Sequence, residues 1–400
     1  MQIIKDLVEK HYDSIVSLRR HFHTYPELSA QEFNTQQRIL EELSALGLTP
    51  RKIAGTGVIA KLQGALPGKT IAIRADIDAL ELQDECGKPY QSQNPGVCHA
   101  CGHDGHTAML IGVAKTLVEL KDRLAGTIIF LFQPSEECFP GGAALMVEEG
   151  ALADVDAIIG THLWQSLSAG TSGISYNRMM ASPDSFTITI KGRGGHGSMP
   201  HQTVDALLVG AQVVTALHTI ISRNIDPLEQ AVLSIGSFKS GDTFNIIPDT
   251  ATLIGTVRSF TMDIKKIVFD RMEQIVSGIC LAAGATFQID KNLGFPPVIN
   301  NPQIAEVFAN ASVETLGAEN TLTIDPVMGG EDFSVYLEKV PGAFIFIGTG
   351  NKDKGIIYPQ HHPKFDIDEK ALAYGTETMV RTAMKLSSSL STTIGIEKER

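Results

Sequence analysis

The chain has 400 residues, 43% of them hydrophobic and 20% charged, the balance of a soluble globular protein with length for two domains. A formal net charge of −12 argues against a basic face and so against nucleic acid as a partner. The opening MQIIKDLVEKHYDSIVSLRRHF has helical spacing without a signal peptide's continuous apolar segment, and no run of about 18 apolar residues suits a bilayer, so a cytoplasmic protein with no membrane partner is expected. The five cysteines (Cys86, Cys98, Cys101, Cys138 and Cys280) are an odd number, which fits a reducing compartment better than a disulfide framework.

In chain order, Ser29 and Glu32 read as a capping box opening a helix that runs to about Gly47. Strands follow at VIAKL (58–62) and TIAIRAD (70–76), a helix from about Thr107 to Leu120, and the strand TIIFLF (127–132). A short helix from Ala143 to Glu149 then precedes the strand VDAIIG (155–160). Apolar strands alternating with amphipathic helices predict an α/β fold, a mixed sheet covered by helices on both faces.

The pattern changes near Ser182. A half-buried strand (185–192), a long helix from Val204 to Ile221, strands at 231–238 and 250–260, a second helix from Asp263 to Ala283 and a strand at 285–291 give β-α-β-β-α-β. That order is the split unit of ferredoxin-like α+β domains, so residues 182–295 are expected to form an inserted domain. The α/β pattern resumes with a helix from Gln303 to Leu316, the strand AFIFIG (343–348) and a helix from Asp368 to about Ser387. The first domain is thus discontinuous, 1–181 with 296–400, and the tail SSLSTTIGIEKER reads as partly disordered.

Ligand-type side chains gather where these strands end, the edge at which open α/β sheets place their sites. They are Asp76 and Asp78, the loop Cys98-His99-Ala100-Cys101-Gly102-His103-Asp104-Gly105-His106, Glu136-Glu137, His162, and His361-His362. Thiolate, imidazole and carboxylate together suit zinc, or manganese and cobalt when oxygen and nitrogen dominate. A structural zinc or a redox thiol is the competing reading of the Cys98–His106 loop, but no second ligand pair follows within twenty residues. His162 alone would be a satisfied core histidine; its place at a strand end favours a ligand. Of the adjacent acids, one can bind metal while the other serves as general base toward water.

RADIDAL (74–80), CHACGHDGH (98–106), QPSEE (133–137), GTHLW (160–164), GRGGHGSMPH (192–201), FNIIPD (244–249), GGEDFS (329–334) and HHPKFDIDE (361–369) together resemble the amidohydrolase branch of the M20 metallopeptidases, which includes N-acyl-amino-acid amidohydrolases, hippurate hydrolases and auxin-conjugate hydrolases. The resemblance implies two divalent metal ions (manganese, zinc or cobalt) held by Cys101, His103, Glu137, His162 and His361, with Cys101 bridging. It implies Glu136 as general base and Asp78 as support for the metals. His361 is preferred to His362 because the family ligand lies two residues before a proline, here Pro363. The wider family has His-x-Asp at Asp76-x-Asp78 and a carboxylate at Cys101.

The inserted domain is similar to the family's lid, which pairs across a homodimer or higher homo-oligomer. His196 resembles the histidine that polarises the scissile carbonyl, in its own or a partner's site, and Asn245 and Arg258 resemble residues that hold a substrate carboxylate. The resulting expectation is an amidohydrolase that deacylates small N-acyl amino acids, or a related carboxypeptidase. A binding protein without activity would have lost the base or a ligand, and a thiol redox protein would survive chelation.

Overall fold

The structure, a computed structural model, describes residues 2–388. Apart from Ser388, which ends the last helix, the tail expected to be partly disordered lies outside the described residues. The chain divides into two compact units. Of the described residues, one takes 2–179, 299–326 and 332–388, and the other Met180–Val298 with Val327–Glu331. The second unit therefore runs slightly beyond 182–295 and recruits a short segment from far along the chain.

Eight strands build the sheet of the first unit, in the spatial order Arg51–Ile53, Gly57–Gln63, Ala125–Gln133, Leu66–Asp76, Ala157–Ser168, Gly342–Gly350, Ser172–Ile174, Thr321–Thr323. From Ala125–Gln133 to Gly342–Gly350 the neighbours run parallel, and Gly57–Gln63 joins them antiparallel, so the sheet is mixed. Every residue of Ala125–Gln133 is buried, as a parallel strand under helices requires. The helices Gln2–Thr24, His103–Glu119 and Lys370–Ser388 pack on one another, and Lys370–Ser388 also lies on the central strands. Gly142–Glu148 and Ser334–Leu337 pack together against other parts of the sheet.

Two expectations fail here for local reasons. The helix expected from Thr107 begins at His103, because Gly102 adopts a left-handed φ of 96° and turns the chain into the helix one turn earlier. Ser29 and Glu32 form no capping box: the helix is Phe33–Ala45, and Glu32 at its N-cap makes no side-chain cap bond. Both side chains are engaged elsewhere, as described below.

In the second unit the strands Ala231–Lys239, Thr250–Ser259, Ser182–Lys191 and Thr286–Asn292 lie side by side in that order, all antiparallel. Its helices cover a core that includes Phe186, Ile188, Val213, Leu253, Val268 and Met272. The long helix expected from Val204 begins at Ala206, where Asp205 accepts from Leu208 N, and breaks at His218 into Ala206–Leu217 and Thr219–Asn224. By length and apolarity the stretch Ala206–Asn224 would suffice to cross a bilayer, but Val209, Val213, Leu217 and Ile220 are buried in that core instead. Thr261 caps Met262–Ala283 by accepting from Ile264 N, and Gly284 ends it in the left-handed conformation.

Candidate metal centre

The parallel register explains where the site falls. Arg74 pairs with Gly160 and Asp76 with Gln133, so Asp76 and Gln133 end their strands at one level. His162, two residues past Gly160, reaches the same level, yet its strand continues to Ser168 and pairs with Phe346. His162 is therefore a buried mid-strand residue that faces the site because its neighbour ends there, not a strand-end residue. The helix His103–Glu119 brings His103 in its first turn. It packs closely on the strand at Gly105, where an added Cβ would lie 2.3 Å from Leu163 Cδ1.

These elements gather two sets of ligand atoms. Cys101, His103 and His162 offer atoms all within 4.8 Å of one another, and so do Cys101, Glu137 and His361. Cys101 belongs to both. Its Sγ lies 3.4 Å from His162 Nε2, and His361 Nε2 lies 3.3 Å from Glu137 Oε1. Glu136 joins His103 and Glu137 in a third group of the same size. His361 has a left-handed φ of 62° and is fixed by its N–H, which donates to Ala100 O at 2.8 Å. His362 instead stacks on Tyr358 at 4.5 Å.

Hydrogen bonds at Nδ1 leave the Nε2 atoms of His103 and His162 turned toward the cluster. His103 Nδ1 donates to Asp78 O at 2.9 Å, and His162 Nδ1 donates to Leu163 O at 2.8 Å, which leaves Nε2 of each ring as the free donor atom. His103 Nε2 and Glu137 Oε1 are buried and have no hydrogen-bond partner. His106, by contrast, is fully used: Leu163 N donates to its Nε2, and its Nδ1 donates to Asp76 Oδ1. Asp78 accepts from Glu137 N at 3.0 Å and from Ser29 Oγ at 2.7 Å, so it ties the acidic loop to the histidine helix. Glu32 Oε1 accepts from Ser135 N at 2.9 Å, where Ser135 has a positive φ of 58° just before Glu136.

The electrostatics of this cluster call for cations. Burial pushes the Cys101 thiol well above its ordinary value, and Glu137, Glu136 and Asp76 add to the effect. Burial would lower the His103 ring, but Asp76, Asp78 and Glu137 raise it to about 10. Burial would raise the Asp76 carboxyl, yet His103, His106 and Arg74 hold it well below the usual carboxylate range. Burial, then His106, depress His162. A divalent ion held by Cys101, His103 and Glu137 would relieve the crowding of acids by stabilising the thiolate and taking the place of the His103 proton. Thiolate, imidazole and carboxylate donors with orphaned buried atoms thus fit a metal centre. Cys98 has no part in it: it is buried in the hydrophobic core, and burial pushes its thiol up.

Residues 72–385 match peptidase family M20/M25/M40. The chain belongs to that family. An N-acyl-L-amino acid amidohydrolase of Geobacillus stearothermophilus is 50% identical over 298 residues, which cover 74% of this chain and 80% of that protein. Thermostable carboxypeptidase 1 of Saccharolobus solfataricus is 40% identical over 390 residues, 96% of this chain and 98% of that protein. The crystal structure of a dinuclear metal binding peptidase from the M20 family of Bacillus subtilis matches with a TM-score of 0.81 at 34% identity, covering 95% of this chain and 99% of that one. This M20 member is thus a metal-dependent hydrolase of the amidohydrolase branch.

In the second unit His196 and Asn245 are neighbours. His196 pairs with Ile246, Gly197 N donates to Asn245 O at 2.8 Å, and Ser198 N donates to His196 Nδ1 at 3.1 Å. Both are exposed. Arg258 is elsewhere: the eight steps from Thr250 to Arg258 along one strand span about 26 Å at roughly 3.3 Å per step. Its guanidinium donates to Asp184 O, Val257 O and Thr256 Oγ1.

Sequence reasoning passed over Arg74, although RADIDAL was in view. Arg74 is 2% exposed; its Nη1 donates to Asp76 Oδ2 at 2.6 Å, its Nη2 to Asp332 Oδ1 at 2.8 Å and its Nε to Gln133 Oε1 at 2.8 Å. This buried arginine fixes two strand-end residues and, in the turn before Ser334–Leu337, Asp332 at once. An arginine inside an apolar strand was the available signal, since burying one demands partners.

Proposed function

We propose that this chain deacylates small N-acyl amino acids by hydrolysing their amide bond, with two divalent ions held by Cys101–His103–His162 and Cys101–Glu137–His361. The single observation behind this reading is that Cys101 is common to both ligand groups, with the Glu136 carboxylate against them. When bound, the ions polarise the amide carbonyl and make water a stronger acid near neutral pH. Glu136 accepts the proton of the attacking water and passes it to the departing amine. Asp78 keeps the His103 ring oriented and Glu137 in place. His196 donates to the oxyanion of the tetrahedral intermediate.

Asn245 and Arg258 bind the substrate carboxylate in this proposal. Their separation within one lid is too great for one small carboxylate, which favours a homodimer in which a second copy supplies His196 and Asn245. A cytoplasmic setting and zinc, manganese or cobalt as the ions complete the reading. Acetyl- and benzoyl-amino acids assayed with each metal test it, with Glu136→Gln as the decisive variant. Turnover should fall about 10²- to 10⁴-fold with metal content unchanged. Full activity in that variant would refute the role of Glu136.

A further inference from the structure

The sequence contains a second constellation of metal-type donors, in a part of the first unit that the proposed reaction does not use. His23 lies in the last turn of the helix Gln2–Thr24, and Asp84 and Cys86 lie in the irregular segment after the strand Leu66–Asp76. His23 Nε2 is 3.3 Å from Asp84 Oδ2 and 4.0 Å from Cys86 Sγ, and Sγ is 3.6 Å from Asp84 Oδ2. A tetrahedral zinc with bonds of about 2.0–2.3 Å sets its nitrogen, oxygen and sulfur donors roughly 3.3–3.7 Å apart. Two edges of the observed triangle, 3.3 and 3.6 Å, fall in that range, and the His23–Cys86 edge of 4.0 Å is slightly longer.

The surroundings support the same reading. His23 Nδ1 donates to Asp104 Oδ2 at 2.7 Å, which fixes the ring with Nε2 aimed at Asp84 and Cys86, the carboxylate–histidine pairing that metal-bound imidazoles use. Cys86 N and Ser92 N both donate to the Asp84 carboxylate at 2.8 Å, so that group is held in place too. His23 and Asp84 are fully buried, whereas Cys86 is half-buried and leaves one side open to water for a fourth ligand.

We infer that His23, Asp84 and Cys86 form a third metal site, separate from the two ions of the catalytic centre, that takes zinc or a similarly thiophilic divalent ion. Binding forms bonds from the ion to His23 Nε2, Asp84 Oδ2 and Cys86 Sγ and releases two protons to solvent, one from the imidazolium and one from the thiol. The ion brings two positive charges and two leave, so the net charge of the buried pocket does not change. Without an ion, His23 bridges Asp84 and Asp104 as an imidazolium.

The test is equilibrium dialysis of the full protein against zinc, with metal content measured for the native chain and for Cys86→Ala. The expected result is one zinc per chain fewer in the variant, with hydrolytic activity retained. Because the readout is a difference between two proteins, it stands whatever becomes of the catalytic assignment. A second measurement needs no variant: zinc should slow alkylation of Cys86 at least tenfold in the native chain, read residue by residue by tandem mass spectrometry. Equal zinc content in the two proteins, or alkylation of Cys86 at the same rate with and without zinc, overturns the inference.

Discussion

Replacing Arg74 with Met keeps most of the side-chain volume and removes the cation that sits between Asp76 and Asp332. Both carboxylates are 0% exposed, so neither gains water when the guanidinium goes. Gln133 Nε2 still donates to Asp332 and His106 still donates to Asp76, but two buried negative charges then share fewer countercharges. Breaking a buried ion pair from one side costs about 3–5 kcal/mol. For a unit of this size that lowers the unfolding midpoint by roughly 6–10 °C, at about 2 °C per kcal/mol. The assay is thermal unfolding of the metal-free protein followed by circular dichroism, with Arg74→Met/Asp332→Asn alongside. The double variant removes one of the stranded charges and should recover part of the loss. A shift below about 2 °C for Arg74→Met, or a double variant that is simply the sum of its parts, would show that the network is not coupled and that Asp76 owes its position to other contacts.

Ser29→Ala removes the hydroxyl that donates to Asp78 and should weaken metal binding about tenfold while costing only about 1 kcal/mol of stability; calorimetric metal titration beside urea unfolding separates the two. The His23–Asp84 pair gives the metal-free protein a defined pH profile. Burial opposes both shifts and Arg19 also lowers His23, but Asp104 and Asp84 together raise His23 to about 10, while His23 and the N–H groups of Ser92 and Cys86 hold Asp84 at about 2. With unfolded values near 6.5 and 3.9, the His23 contribution is complete below about pH 6.5 and lost toward pH 10, and the Asp84 contribution is complete above about pH 4 and lost toward pH 2. The stability difference between the native chain and His23→Gln should therefore peak between about pH 4 and 6.5; a flat difference across unfolding curves would exclude the pairing. Mixing Glu136→Gln with His196→Ala chains should restore about a quarter of native activity if His196 acts on a partner's site, since half of randomly paired dimers are mixed and each carries one complete site. No recovery would place His196 in its own chain's reaction.

The α/β class and the inserted unit were legible because hydrophobic periodicity records which face of an element is buried. That Cys101, His103, Glu137, His162 and His361 would come together was legible because donor-type side chains recur at the ends of the apolar segments. What the sequence hid was contact at a distance. Ser29 and Glu32 have the spacing of a helix cap, yet their partners are Asp78, Thr56 and Ser135, residues no local pattern could supply. His162 seemed to follow a strand, and only the pairing with Gly342–Gly350 shows that the strand runs on. Arg19 and Asp104, joined at 2.8 Å deep in the unit, are 85 residues apart in the chain. Asn245 and Arg258 lie thirteen residues apart in sequence and toward opposite ends of a strand in space.

Because the second unit interrupts the first, the strand Ala157–Ser168 is made long before its parallel neighbour Gly342–Gly350. At translation rates of 5–20 residues per second, the intervening stretch of about 170 residues takes roughly 10–35 s to emerge. For that time a strand edge whose first seven residues are buried in the finished fold lacks its partner on that side, the kind of surface that captures other nascent chains. His361, on which the proposed metal centre draws, emerges later still. A metal centre that draws on His361 is therefore completed only after this wait, and holding chaperones are expected to raise the yield of folded chain during it.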